Sequence, residues 1–305
     1  MLRYVIRRLG WLVPMAVIIS FVVFVAMRAI PVDPAELVIG PYATQEQRVL
    51  ATQKLGLDKP VIVQYGLYLW SALHGDLGRS IKSGKQITAL IADTVPNSLL
   101  LGGTALAFAY LTAIPLGLIA AVRQNTIVDQ GAMSFALIGI SVPNFWLGLL
   151  LVMLFAVALR WLPASGAGGI SHLVLPAVTL GIQYTAIVAR MTRSSVLEVL
   201  RQDFVRALHA KGLARGKVLY QHTLKNAVIP IISLAGLHVG GIVGGAVIVE
   251  TIFAWPGVGQ LLVNSILGRD YPVVQALLTL LGIAVLLANL LADVLYALAD
   301  RRIRY

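Results

Sequence analysis

Of the 305 residues, 58% are hydrophobic and only 12% charged, whereas a soluble domain carries about 45–50% apolar and 25% charged residues, so an ordinary water-soluble protein is excluded. A net charge of +11 would suggest nucleic acid as partner to a soluble chain, but membrane proteins gather Lys and Arg on their cytoplasmic loops, and the position of the charge has to decide. The sequence has no cysteine, which removes disulfides, thiolate metal sites and thiol nucleophiles.

Arg3, Arg7 and Arg8 precede an apolar run from Leu9 to Ala29, about the 20 residues a helix needs to cross ~30 Å of hydrocarbon. A cleaved signal peptide has the same charge order. The run is long for one, and Arg28 and Pro31 suit a cleavage site poorly, so residues 1–30 are read as a retained first span. Residues 31–97 then change character: charges balance, Pro31, Pro34, Pro41 and Pro60 recur, and short amphipathic pieces alternate with turns such as His74-Gly75-Asp76-Leu77-Gly78. This reads as a small extracytoplasmic subdomain, either a passive linker or a loop docked on something. Further spans are expected at Ser98–Val122, Ala132–Leu159, His172–Ala189, Ala227–Val249 and Val273–Ala297, which makes residues 98–305 the membrane core and the chain an all-α protein of six spans.

Six spans put both termini on one side. That side holds Arg3, Arg7, Arg8, Arg123, Arg301, Arg302, Arg304 and a basic loop at 190–226, with Arg190, Arg193, Arg201, Arg206, Lys211, Arg215, Lys217 and Lys225. Only Asp129, Glu198, Asp203 and Asp300 oppose them, so the positive-inside rule makes this face cytoplasmic, and no nucleic-acid partner is needed. Inside the loop, Asp203 can cap a helix over Phe204–Lys211 that stops at Gly212, a glycine in the C′ position; a second short helix, broken from it near Gly216, covers Lys217–Lys225. Helices this short are marginal in water and need packing against the membrane core or a partner.

Gly236, Gly240, Gly241, Gly244 and Gly245 crowd the fifth span, but no Gly-Lys-Ser or Gly-Lys-Thr exists to complete a phosphate loop. Their four-residue spacing instead permits close helix approach, as static packing or as a surface lining a moving pathway. Glu250, Asp293 and Arg28 fall towards span ends, which disfavours a carrier driven by its own ion coupling. His238 has no second ligand at i+3 or i+4, so an interhelical hydrogen bond is expected and no metal site. Serine-hydrolase and zinc-hydrolase signatures are absent, and the chain reads as a conduit, not an enzyme. Polar breaks at Ser141-Val-Pro143-Asn144-Phe145-Trp146 and Gln183-Tyr184 are either kinks satisfied by neighbours or the lining of a watery route.

Several stretches carry a resemblance. They are Arg206-Ala207-Leu208 with Gly212 and His222-Thr-Leu224, Ala210-Lys211-Gly212, Leu224 to Ala227, Pro31-Val-Asp33-Pro34-Ala35, Leu55-Gly56-Leu57-Asp58-Lys-Pro60, and Gly75-Asp76-Leu77-Gly78-Arg-Ser80. Two more are Glu250-Thr-Ile-Phe253-Ala-Trp255-Pro256-Gly257-Val-Gly259 and Arg269-Asp270-Tyr271-Pro272. Over its whole length the chain resembles the permease subunit of bacterial ABC importers for dipeptides, oligopeptides, glutathione and nickel, with the type I importer permease fold. Arg206 stands where the general coupling-loop pattern has glutamate, and Lys225 where it has proline; Arg301 replaces a proline after Asp300.

The resemblance implies an inner-membrane heterodimer with a second, homologous permease, two cytoplasmic ATPases that hold the ATP and Mg, and an external binding protein; this chain itself would bind no cofactor. It further implies ATPase coupling through Asp203, Arg206, Ala207, Lys211, Gly212 and Gly216. Asn144, Phe145, Gln183, Tyr184, His238, Gly240, Gly241 and Gly244 become candidates for the translocation pathway, and Asp58, Asp76, Trp255, Arg269 and Asp270 for binding-protein docking. Peptides of dipeptide, oligopeptide or glutathione type are the expected cargo; a nickel or metal chelate is the alternative, and an ion-coupled transporter or a membrane scaffold the competing class.

Overall fold

A computed structural model describes residues 2–30, 44–54, 56 and 58–299; for 2–7, 48, 51, 54 and 295–299 it describes the backbone alone. The motif at Pro31–Ala35, together with Leu55, Leu57 and the C-terminal arginines, lies outside the described residues. Among the described residues eleven helical elements follow in order: α1 Leu2–Arg28, α2 Gln45–Lys54, α3 Val61–Leu73, α4 Ile87–Val122, α5 Ile127–Ser141, α6 Asn144–Ala158, α7 Ile170–Leu200, α8 Asp203–Ala210, α9 Arg215–Ile252, α10 Val258–Leu267 and α11 Tyr271–Ala299. Among the described residues the extended structure is a single bridge, Arg79 to Gln86.

Five helices, α1, α4, α7, α9 and α11, are each long and apolar enough to span a membrane. The expected third span is not one straight helix: α5 and α6 meet at Val142-Pro143 with a bend of 107°. Pro143 lacks the N–H that would continue the ladder, and the residue before a proline is pushed into extended backbone, which Val142 adopts at φ −85°, ψ 123°. The far end of α6, Val152–Ala158, winds as a π-helix.

Three expected boundaries shift. α4 starts at Ile87, ahead of Ser98, so the last residues assigned to the outer subdomain are the first turns of a span. α7 runs on past Ala189 to Leu200, so Arg190 and Arg193 belong to a helix and not to a loop. The second short helix does not exist as a separate piece: Arg215–Lys217 passes through a π-turn at Val218–Thr223 into Leu224–Ile252 without a break. Hydropathy marks where lipid ends, whereas a helix ends only where its backbone is stopped, and nothing between Ala189 and Leu200 stops it.

The core is layered along the bundle. α4 and α7 pack along their lengths, with Gly181 against the Ala105 carbonyl and Gly117 against Ala189 and Thr192. One cluster joins Leu101, Leu180, Ile242, Val249, Phe253 and Trp255; another joins Ile87, Val258, Leu262, Val273 and Leu277. At the basic end a third cluster packs Leu118, Val196, Val199, Val205 and Val218. α1 sits outside this core, touching α11 at Gly282 and showing Trp11, Val13, Ile18 and Val22 on its free face. α3 leans on α1 through Tyr65, whose hydroxyl hydrogen-bonds Ser20 Oγ at 2.8 Å and donates to the Val17 carbonyl at 3.0 Å.

Candidate functional site

Three regions hold the residues that the sequence singled out. The first is the basic end. α8 is amphipathic: Val205 is buried and Leu208 partly so, against Val218, Leu219 and Leu200, while Arg206, Ala207, Ala210 and Lys211 face outward. Packing on that one face is what holds a helix of 8 residues, too short to persist alone. Asp203 does not cap it as expected. Gln202, in extended backbone, precedes the helix without a side-chain cap, and Asp203 is its first residue, accepting a hydrogen bond from Arg206 at 3.3 Å. Both side chains are exposed, so this pair contributes little to stability.

The stop at Gly212 is as expected. Its φ of +77° is left-handed, Gly212 N donates to His209 O at 2.9 Å, and Leu213 N donates back to Leu208 O at 3.3 Å. This is the Schellman pattern that glycine favours. Gly216 lies exposed in the first turn of α9.

Just inside this end, Arg193 of α7 forms a two-pronged ion pair with Asp129 of α5, at 2.6 and 2.7 Å. Asp129 also accepts from Asn125 N at 2.9 Å, which fixes the left-handed Asn125 in the turn between α4 and α5. In the sequence Asp129 is only a charge against the basic side. The signal was available in Thr126, which caps α5 by accepting from Asp129 N and so orients the carboxylate.

The second region is the membrane interior, and here the pathway candidates divide. Asn144 and Phe145 sit at the α5–α6 break beside Gln183, which donates to the Val142 carbonyl at 3.4 Å; Asn144 Oδ1 is buried with no partner among the described residues. Tyr184 turns the other way, to α9. Its ring lies 4.7 Å from that of His238, and His238 Nδ1 hydrogen-bonds the Tyr110 hydroxyl at 3.0 Å, so this histidine is interhelical.

The glycines of α9 serve two neighbours: Gly236 and Gly240 approach α11 at Ala292 and Asn289, while Gly241 and Gly245 approach α7 at Tyr184 and Leu180. Gly244 touches neither and lies on an exposed stripe with Leu237, Gly241 and Ile248. A methyl at Gly236 would lie 2.5 Å from Ala292 Cα, whereas one at Gly244 meets nothing within 4 Å. Gly236→Ala is therefore expected to lower stability by about 1–3 kcal/mol through overpacking, and Gly244→Ala to leave it equal or slightly raised. Melting curves of the two detergent-purified variants check this, and equal losses would contradict it.

The third region is the opposite end. Glu250, fully buried, accepts from Ser98 Oγ at 2.6 Å, from Gly259 N at 2.7 Å and from Gln260 N at 3.2 Å. Ser98 Oγ in turn accepts from Val258 N at 2.8 Å. The carboxylate thus closes the N-terminus of α10, where unpaired N–H groups and the helix dipole favour negative charge. A Cβ at Gly257 or Gly259 would collide with it, which explains why the turn carries glycine at both places. In the sequence Glu250 is only a charge at a span end, and Gly257 and Gly259, seven and nine residues later, are the local hint of this role.

Of the docking candidates, Trp255 is buried, with its indole N–H on the Asn97 carbonyl at 3.0 Å. Asp270 is also buried, accepting from Ser80 Oγ at 2.5 Å and Ile81 N at 3.1 Å. Both are occupied inside the chain, while Asp58, Asp76 and Arg269 are exposed.

Comparison with known proteins decides the family. Residues 113–305 match the binding-protein-dependent transport system inner membrane component, and residues 1–102 match the N-terminal part of the same membrane component. The chain belongs to this permease family. Relatives of the permease include the glutathione transport system permease protein GsiC of Escherichia coli O6:H1, 43% identical over 305 residues with 100% of both chains covered. GsiC of Escherichia coli K12 and of Salmonella choleraesuis are each 42% identical over the same length. Among solved structures, the inward-facing MetNI methionine ABC transporter matches with TM-score 0.58 and 20% identity, over 70% of this permease and 97% of that chain. That likeness shows the fold; the family match, with five or six apolar helices long enough to span, makes the chain an ABC importer permease and a multi-pass inner-membrane protein.

Proposed function

We propose that this permease carries glutathione-like or other short peptides across the inner membrane, driven by ATP hydrolysed on partner subunits. The observation that carries the reading is 43% identity with a glutathione permease over 305 residues, covering 100% of both chains. In this reading both termini and α8 are cytoplasmic, which the excess of Lys and Arg on that side supports. The outward face of α8, Arg206, Ala207 and Lys211, meets the ATPase pair, and its inner face transmits the movement to α7 and α9. A second, homologous permease covers the exposed stripe of α9, and an external binding protein delivers cargo to the face bearing Asp58, Asp76 and Arg269. The two polar groups at the α5–α6 break and around His238 supply hydrogen-bonding partners along the route, where apolar side chains alone would leave a peptide backbone unsatisfied.

The test is reconstitution in proteoliposomes with the cognate permease, ATPases and binding protein. ATP-dependent accumulation of labelled glutathione or dipeptide is expected, saturable with the binding protein. Uptake by this chain alone under an ion gradient would overturn the reading.

A further inference from the structure

A cleft of about 660 Å³ opens at the basic end between the ends of α4 and α7 and the start of α9, beneath α8. Three cationic or protonatable side chains line it, Arg201, His209 and Arg215, with no carboxylate in its lining. None of the three makes an ion pair among the described residues. Below them the walls are apolar, formed by Val122, Leu197, Leu200 and Leu219. Polar rim above and aliphatic wall below is the pattern of a site for an amphiphilic anion.

Its height in the bundle narrows the ligand. Val122 and Ile127, on either side of the turn between α4 and α5, are apolar and exposed, Ile127 at 87%, as side chains at a hydrocarbon edge are. The cleft opens at that level. His209 is on the inner side of α8, with Val205 and Leu208, while Arg206 and Ala207 point away from the core. The basic rim thus lies on the side of α8 away from Arg206 and Ala207, and of the residues assigned above to ATPase coupling only Gly216 borders it. Basic pockets between spans on a cytoplasmic face suit anionic headgroups, each nearby Lys or Arg strengthening attraction about fivefold.

We infer that this cleft holds the phosphate headgroup of an anionic phospholipid, with Arg201 and Arg215 on the phosphate and an acyl chain along Leu197, Leu200 and Leu219. The inference rests on the orientation proposed above. A lipid seated there contacts the ends of α4 and α7, α8 and the start of α9 at once, so it bears on the segment through which the ATPases act.

The test uses the full transporter complex purified from membranes of phosphatidylglycerol and phosphatidylcholine and stripped stepwise with detergent, the retained lipid being read by native mass spectrometry. Retention of phosphatidylglycerol in preference to phosphatidylcholine is expected. Arg201→Gln/Arg215→Gln should weaken it by about 25-fold, one factor of about five for each charge, whereas Arg201→Lys/Arg215→Lys should keep most of it. Equal retention of the two lipids, or equal retention by wild type and the glutamine pair, overturns the inference. So does full displacement by free glycerol phosphate, which would make the ligand a soluble phosphate. Dissociation of the ATPases from the glutamine variant would assign the arginines to a protein partner and overturn it as well. ATP-driven uptake by the wild-type complex, measured alongside, reports on the proposed function independently of the lipid.

Discussion

Replacing Glu250 with alanine is expected to cost the permease about 3–5 kcal/mol of stability. Its two oxygens serve three donors, the Ser98 hydroxyl and the N–H groups of Gly259 and Gln260. Truncation leaves the two backbone donors buried and unpaired, at about 1–3 kcal/mol each, and opens a cavity where a fully buried side chain stood. Glu250→Gln should behave differently. The amide oxygen can still accept from the start of α10, and its NH₂ can donate to Ser98 Oγ, which has a lone pair to spare. A loss of about 1 kcal/mol is expected there. Fluorescence-detected size-exclusion chromatography after graded heating distinguishes the cases. If Glu250→Ala and wild type melt together, the carboxylate does not hold α10 in place.

The second large effect is expected at Asp129 and Arg193. Asp129→Ala strands a guanidinium that is only 24% exposed and frees the Asn125 turn, at a cost of about 3 kcal/mol. Removing both charges, as in Asp129→Asn with Arg193→Met, should recover most of that loss, because the uncompensated charge disappears with its partner. Arg193→Lys should fall between, since an ammonium cannot make the two-pronged contact. A double-mutant cycle on melting temperature measures the coupling. Strict additivity of the single losses would mean that the pair is incidental.

How much of this was legible in the sequence depends on the range of the interaction. Apolar length gave the spans because it reports a local property, transfer of a helix into hydrocarbon. The stop at Gly212 was legible for the same reason: a glycine after a short amphipathic run is a local backbone signal. The extension of α7 through Arg190 and Arg193 was not, since charge ends a hydropathy window without ending a helix. Pro143 announced a break but not its angle of 107°, which depends on what α6 packs against after the turn. The roles of Glu250, Trp255 and Asp270 were hidden because their partners Ser98, Asn97 and Ser80 lie more than 150 residues away in the chain. The glycines of the fifth span read as one packing face, yet they divide between α7 and α11, because pairs offset by one residue point about 100° apart.

The uninterrupted helix α9 has a mechanical consequence. From Arg215 to Ile252 it is one helix of 38 residues, about 57 Å at 1.5 Å per residue, with no loop in it but with two places where it can bend, the π-segment Val218–Thr223 and Pro230. Its tightest seat is Gly236 on Ala292, about 32 Å from the Arg215 end and 24 Å from the other. Both bend sites lie between the Arg215 end and that seat, so a displacement of the α8 end meets two flexible points before it reaches Gly236, and the stretch from Gly236 to Glu250 is the part of α9 that moves with its neighbours as one body.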